Sequence, residues 1–287
     1  MPPDASPSSL DRVDLLILGA GWTYQFLLPT LESHTPTLTH AATTRSGSTN
    51  PPTLPFTFDP HSTDPTPYRS LPPALCILIT FPIIVPGATA TLLRLYVETH
   101  PHQPQPEVIQ LGSTGVWGTG QGFIDRHNSI DPSSARGAEE TRLLALGGVV
   151  LNLAGLWGGA RLPRNWLPRV AGDLEKLRAK GSLHLVHGED VARGVLAVVE
   201  CLIRRGVGRG QRWLLTDMRV YDWWDLAAAW GKEEWVGALL KESGEEVRVL
   251  PRGPELLGRV LDAREFWEFV GLWPRWSLTY GRREDGS

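Results

Sequence analysis

The chain has 287 residues, 41% of them hydrophobic and 21% charged, with a formal net charge of −3. That balance fits a globular protein large enough for one big domain, or a domain plus a small lobe. So small a net charge gives no bulk attraction to nucleic acid or to an anionic membrane. In chain order, apolar runs read as strands at about 13–18, 38–43, 75–80, 107–111, 148–153 and 183–187. Helix-like segments alternate with them at about 21–32, 88–99, 134–147, 169–180 and 189–204. Such alternation predicts an α/β fold, a doubly wound parallel sheet with helices on both faces. The Pro-, Thr- and Ser-rich stretch 46–73 reads as a long surface loop, the least ordered internal region, with a short strand at Phe56–Asp59. The longest apolar stretch, Ala74 to Val97, is interrupted by Pro82, Pro86, Gly87 and Arg94, which argues against a membrane helix.

The first strand and helix carry the most informative feature. Val13-Asp-Leu-Leu-Ile-Leu ends at Gly19-Ala-Gly21, and a helical pattern begins at once. Gly19 permits a tight turn, and Gly21 has no side chain to hold a pyrophosphate away from the backbone. The free N–H groups of the new helix, at Trp22 and Thr23, carry a partial positive charge of about half an electron. This is the pattern of a Rossmann-type dinucleotide fold. The third glycine of a full GxGxxG motif is replaced by Tyr24, which predicts a looser or shifted first helix.

The end of the second strand sets the cofactor expectation. An acidic residue there binds ribose hydroxyls, and a basic one accommodates a 2′-phosphate. Here stands Arg45 between Thr44 and Ser46, which points to NADP, with NAD as the alternative. The competing reading is a solvated loop arginine. After the strand at 75–80, Thr80-Phe81-Pro82 either lies along the cofactor or simply turns the chain.

Ser113 lies in Leu111-Gly-Ser-Thr-Gly-Val-Trp-Gly118, where a strand ends and small residues follow. It either hydrogen-bonds substrate or, with Thr114, caps a turn. Residues 1–11 are polar, rich in Pro and Ser, and read as a disordered tail rather than a signal peptide. The expected organisation is then 12–211 as the nucleotide-binding domain and 212–287 as a mostly helical substrate lobe. Eight of the 12 tryptophans fall in that lobe, at 213, 223, 224, 230, 235, 267, 273 and 276. They read as its core in preference to an aromatic substrate pocket. Cys76 and Cys201 sit in apolar runs and read as buried hydrophobes in a reducing, cytoplasmic compartment. The eight histidines are scattered, with no CxxC or HxxxH, so no metal site is expected.

Gly-Ser-Thr-Gly-Val-Trp-Gly118 resembles the Ser-Ser-x-x-Val-Tyr-Gly segment of the extended short-chain dehydrogenases/reductases, the group of the nucleotide-sugar epimerases and dehydratases. Leu153-Ala-Gly-Leu-Trp-Gly-Gly-Ala-Arg161 is similar to their Arg-x-x-x-x-Tyr-Gly-Pro-x-x-Arg loop. Leu185-Val-His-Gly-Glu-Asp-Val-Ala192 is similar to their Val-His-Val-x-Asp-Val-Ala. The resemblance spans about residues 13–216. It implies a catalytic role for Ser113, substrate contacts for Thr114 and Arg161, and an architectural role for His187 and Asp190. The implied partners are a small molecule or nucleotide only.

The family's acid/base is a Tyr-x-x-x-Lys pair about 20–30 residues after the serine segment. The corresponding stretch here is Ile130 to Arg142; no tyrosine occurs between Tyr96 and Tyr221, and no lysine precedes Lys176. Atypical members, including the YeeZ-like branch with its Gly-x-Gly-Trp, share that loss, and Gly19-Ala-Gly-Trp22 resembles theirs. Arg136 is a candidate ribose contact in place of the lysine but no proton donor at neutral pH. Tyr24 and Tyr68 are the remaining tyrosines that precede Ser113 besides Tyr96. Asp125, His127 and Asp131 are candidate replacement acids or bases, His127 best by intrinsic pKa, each weighed against an ordinary loop side chain. Three functions stay open: an NADP-dependent oxidoreductase or epimerase-like enzyme on a small polar, sugar-like substrate; a non-catalytic NADP sensor or scaffold; and a structural relic without nucleotide.

Overall fold

The computed structural model describes residues 11–278. Of the expected tail, all but Asp11 lies outside the described residues. In chain order the first half contains β1 (Val13–Leu18), α1 (Gly21–His34), β2 (His40–Thr44), β3 (Ser48–Thr49), β4 (Pro52–Pro55), β5 (Ala74–Ile79), α2 (Ala88–Thr99), β6 (Glu107–Ser113), β7 (Gly122–Ile124) and α3 (Ala135–Ala145). Then follow β8 (Val149–Leu153), β9 (Gly155–Trp157), α4 (Leu167–Val170), α5 (Leu174–Arg178), β10 (Ser182–Leu183), β11 (Leu185–His187) and α6 (Gly188–Glu200). The last elements are β12 (Arg212–Leu215), β13 (Tyr221–Asp222), α7 (Trp223–Ala229), α8 (Glu233–Ser243), β14 (Arg259–Leu261) and α9 (Arg264–Val270). Among the described residues no helix is long and apolar enough to cross a membrane.

Two compact units emerge. The first is built from residues up to Val116, Asp131–Asn152 and Ala192–Arg212; the second from Trp117–Ile130, Leu153–Val191 and the chain from Trp213 onward. The first holds the sheet, ordered β8-β6-β5-β1-β2-β4-β3. β6, β5, β1, β2 and β4 run parallel, and β3 is antiparallel to its neighbour β4. Leu15, Leu16, Ile17 and Leu18 of β1 are all fully buried, as a strand covered on both faces requires. The architecture is Rossmann-type: β1 is central, and β5 and β2 leave it in opposite directions.

The stretch 46–73 differs from the expectation. The short strand is at Pro52–Pro55, not Phe56–Asp59, and pairs parallel with β2. Because β2 and β1 lie between β4 and β5, residues 56–73 must cross back over the sheet. Phe56, Tyr68 and Leu71 are buried in the same cluster as Leu16, Ile77 and Leu92. The segment is therefore a crossover with no α-helix, only a short 3-10 turn at Thr66–Ser70, and it closes one side of the core. Its low-complexity composition hides three apolar anchors. The helix expected at 169–180 is broken into α4 and α5 around Gly172, where a Cβ would sit 2.3 Å from the Pro168 carbonyl oxygen. The helix expected at 189–204 ends its α-helical part at Glu200 and continues as one π turn, Cys201–Arg205.

The second unit pairs short strands: β9 with β11, β10 with β13, and β14 with β7. Trp223 and Trp224 form part of a buried cluster with Leu167, Leu177, Val236 and Leu239, and Trp267 is 1% exposed. Most of the tryptophans here fill a core. Trp273 and Trp276, 65% and 39% exposed, do not.

Candidate functional site

At the carboxyl ends of β1, β2 and β5 the glycine turn is held from both sides. The Gly19 N–H donates to Thr43 Oγ1 (2.9 Å) and the Ala20 N–H to the Thr43 carbonyl (2.7 Å). On the other side the Thr80 N–H donates to the Leu18 carbonyl (3.1 Å), and the Thr80 hydroxyl donates to the Gly19 carbonyl. Gly19 has φ +88°, and a Cβ there would lie 2.8 Å from Thr80 Oγ1 and 3.1 Å from Phe81 Cδ1. The position demands glycine twice over, by conformation and by space. At Gly21, φ +46°, a Cβ would meet nothing within 4 Å. The space beside it is open, and α1 starts there with no side chain capping its N-terminus and no acidic residue in its first turn.

That space is part of a cleft of about 790 Å³ lined by residues of the first unit alone. Gly19, Gly21, Thr44, Arg45, Thr80, Phe81 and Pro82, all expected from the sequence, meet there. Trp22, Thr23 and Ser46 are not in its lining. Trp22 packs edge-on against Phe26 (4.8 Å between centroids), Thr23 is buried within α1, and the Ser46 hydroxyl turns to the Gly47 carbonyl. Arg45 is exposed and, among the described residues, supplies the only ionisable side chain in the lining. The Thr44 hydroxyl, beside it, is paired with that of Thr53 (2.9 Å). The sequence missed one wall: Phe56, Thr57, Phe58 and Pro60 of the crossover, where Phe58 stacks on Phe81 (5.7 Å, 23°). The signal was the pair of aromatics two residues apart at a strand end.

Tyr24, in the place of the third glycine, lies in the first turn and a half of α1. Its ring is buried and lies toward His40 at the start of β2, with its hydroxyl 3.5 Å from Nε2. Burial, then the nearby Glu32 charge, raises its pKa, and it is not among the cleft's lining residues. Tyr68 is buried against Phe56, and burial pushes its pKa up to about 12. Neither replaces the missing catalytic phenol.

Ser113 ends β6, half-buried, and its hydroxyl accepts the Gly115 N–H (3.2 Å), the turn-capping role. Thr114 is buried beside it, and neither lines the cleft. Beneath this strand end lies a polar cluster that sequence reasoning did not find. Asn152 Nδ2 donates to the Ser113 carbonyl (3.1 Å) and to Glu140 Oε2 (2.8 Å); Arg212 Nη1 donates to Glu140 and to Asn152 Oδ1 (3.1 Å). Glu140 is fully buried; burial raises its pKa, against the Asn152 hydrogen bond and the Arg212 charge, which lower it. Its neighbour Glu139 is also buried but takes the Gly87 and Thr89 N–H groups (2.8 and 3.0 Å) at the start of α2. Burial would raise its pKa, and those backbone hydrogen bonds hold it below the usual value instead. So α3, where the resembled family keeps its acid/base pair, offers two carboxylates engaged in structure.

The other candidates are ordinary. Asp131 accepts the Ser133 N–H (2.8 Å), and hydrogen bonds from Ser133 lower its pKa. In the second unit Asp125 caps its own loop through the His127 N–H (2.8 Å), and His127 Nε2 lies 2.8 Å from Glu265 Oε1. Arg161 is exposed in a tight turn, its N–H on the Gly158 carbonyl (3.1 Å).

No family model matches the chain, and no curated protein does. Solved structures do. The dTDP-glucose 4,6-dehydratase of Bacillus anthracis in complex with NAD matches with a TM-score of 0.60 at 15% identity, over 92% of each chain. A UDP-galactose 4-epimerase matches at 0.58 and 14%, over 93% of this chain and 94% of that one. RMD from Pseudomonas aeruginosa, complexed with NADPH, matches at 0.55 and 13%, over 92% and 93%. The chain has the fold of the extended short-chain dehydrogenases/reductases. At these identities the likeness speaks for the fold, and chemistry must be argued from residues.

Proposed function

We propose that the chain binds NADP in the cleft of its first unit, as an atypical extended short-chain dehydrogenase/reductase of the YeeZ-like kind in the cytoplasm. The observation that carries this is the glycine turn, pinned by Thr43 and Thr80 beside open space at Gly21. The group fits: the volume is ample, the N-terminus of α1 suits phosphate, and Arg45 suits a 2′-phosphate. Gly19 and Gly21, with the first turn at Trp22 and Thr23, would hold the pyrophosphate. Thr44, Arg45 and Ser46 would hold the adenosine side, and Thr80, Phe81 and Pro82 would line the cleft. Bound NADP supplies hydride transfer. That the chemistry would act on a small polar, sugar-like molecule is supported by the dehydratase and epimerase among its structural neighbours. Ser113 would orient substrate, with Thr114 and Arg161 as further contacts.

One observation favours a second reading, a non-catalytic NADP sensor or scaffold: Arg45 is the only ionisable side chain in the cleft, and α3 carries no phenol or ammonium. NADPH oxidation over a panel of carbonyl compounds and nucleotide sugars separates the two. Turnover abolished in Ser113→Ala supports the enzyme. Saturable NADPH binding with no turnover on the whole panel supports the sensor.

A further inference from the structure

In the second unit, Trp276 is held as a ligand would be. Its backbone N–H and that of Arg275 both donate to the Asp190 carboxylate (2.9 Å each), a side chain with no exposure at all. Its ring stacks on His187, 4.5 Å between centroids and 30° between planes. Its indole N–H donates to Glu189 Oε2 (2.8 Å). Three contacts thus fix one residue of a stretch, 272–278, that has no secondary structure.

The anchoring surface is the face of β11. His187 and Leu185 are two residues apart on that strand and so share a face. Trp276 covers His187, and Leu278, two residues further on, packs with Leu185, Tyr221 and Leu226. The Leu278 N–H donates to the Tyr221 hydroxyl (2.8 Å), which donates to Asp217 Oδ2 (2.6 Å). The strap thus runs antiparallel across β11. Beside His187, on the same face, stands Trp157, its register partner on β9, edge-on at 4.7 Å. The Trp157 indole N–H is buried and has no hydrogen-bond acceptor among the described residues. An orphaned buried donor is costly and points to an absent acceptor.

We infer that Trp157, His187 and Glu189 form a ring-binding slot which the strap 272–278 occupies in cis through Trp276. The slot's chemistry is a stacking face, one carboxylate acceptor and one unused N–H donor. Its free ligand is a small ring with both a donor and an acceptor on its edge, a sugar or a flat heterocycle. Trp276 satisfies the first two features and leaves the third unused. It is 39% exposed, while the His187 ring and the Asp190 carboxylate that it covers are buried.

Two experiments on the full chain test this. The first adds indole, and separately benzothiophene, to Trp276→Ala and to wild type in calorimetric titrations. The slot predicts saturable one-site indole binding to Trp276→Ala, at least tenfold tighter than to wild type. It also predicts a preference for indole over benzothiophene, which lacks the N–H, that disappears on adding Glu189→Leu. Equal binding of indole to wild type, no binding to the variant, or binding indifferent to Glu189 overturns the inference. The second needs no variant: hydrogen exchange of the Arg275 and Trp276 amides in wild type. A detachable strap predicts exchange at least tenfold faster than in the α6 interior. Exchange only by global unfolding would show that the strap never leaves, and would overturn the inference as well.

Discussion

The glycine turn and the α3–Ser113 region lie in one unit but are furnished in opposite ways. The turn exposes unspent groups: a helix N-terminus without a cap, open space at Gly21 and an arginine with no ion-pair partner among the described residues. The α3 region turns its polar groups inward: Glu139 to the start of α2, Glu140 to Asn152 and Arg212, and the Ser113 hydroxyl to its own turn. Binding capacity and proton-transfer capacity are separate properties of this fold. The residues proposed for the first meet in one cleft, and the phenol–ammonium pair of the second is absent from the place where the family resemblance puts it.

The sharpest way to break the contrast is at the buried cluster. Arg212→Ala leaves Glu140 buried without its cation, and should cost about 3–5 kcal/mol in urea unfolding. Adding Glu140→Gln to it should recover part of that loss, because the uncompensated charge is gone. If Arg212→Ala is neutral, the cluster is not the structural device described. Next comes Gly19→Ala, where a left-handed φ costs about 1–2 kcal/mol before the contact with Thr80 is counted. It should lose nucleotide binding and about 2–3 kcal/mol together.

Glu139→Gln should cost about 1–2 kcal/mol at neutral pH, the worth of a charged helix cap. The sign with pH follows from its depressed pKa. The folded state prefers the ionised form, so the contribution is present above the ordinary carboxylate range and is lost as pH falls through the lower, folded value. Wild type and variant should therefore converge in acid; a gap that persists below that range would rule out this origin. The smallest expected effect is at the surface. Arg45→Glu should weaken NADPH about tenfold and NADH far less, with stability unchanged.

Much of the first unit is legible in the sequence, because its signals are local. The apolar run into Gly19-Ala-Gly21 gives the turn, and the strand end at Thr44-Arg45 gives the only charge in the cleft. What was hidden depends on long-range partners. Phe58 reaches Phe81 only because the chain must cross back from β4 to β5, and no local pattern within 46–73 says so. Arg212 meets Glu140 across 72 residues of chain. In the second unit the Val-His-Gly-Glu-Asp segment was recognisable as architecture. That its Asp190 grips the backbone of Trp276 was not, since 85 residues separate Asp190 from Arg275.

The central claim is that the cleft still binds a dinucleotide although the usual acid/base pair is gone. Calorimetric titration of the purified protein with NADPH, beside Gly21→Asp, tests it most directly. The account predicts micromolar one-site binding by wild type, and its loss when a carboxylate fills the open space at Gly21. No binding by wild type at millimolar NADPH or NADH would contradict it and leave the cleft a relic of the fold.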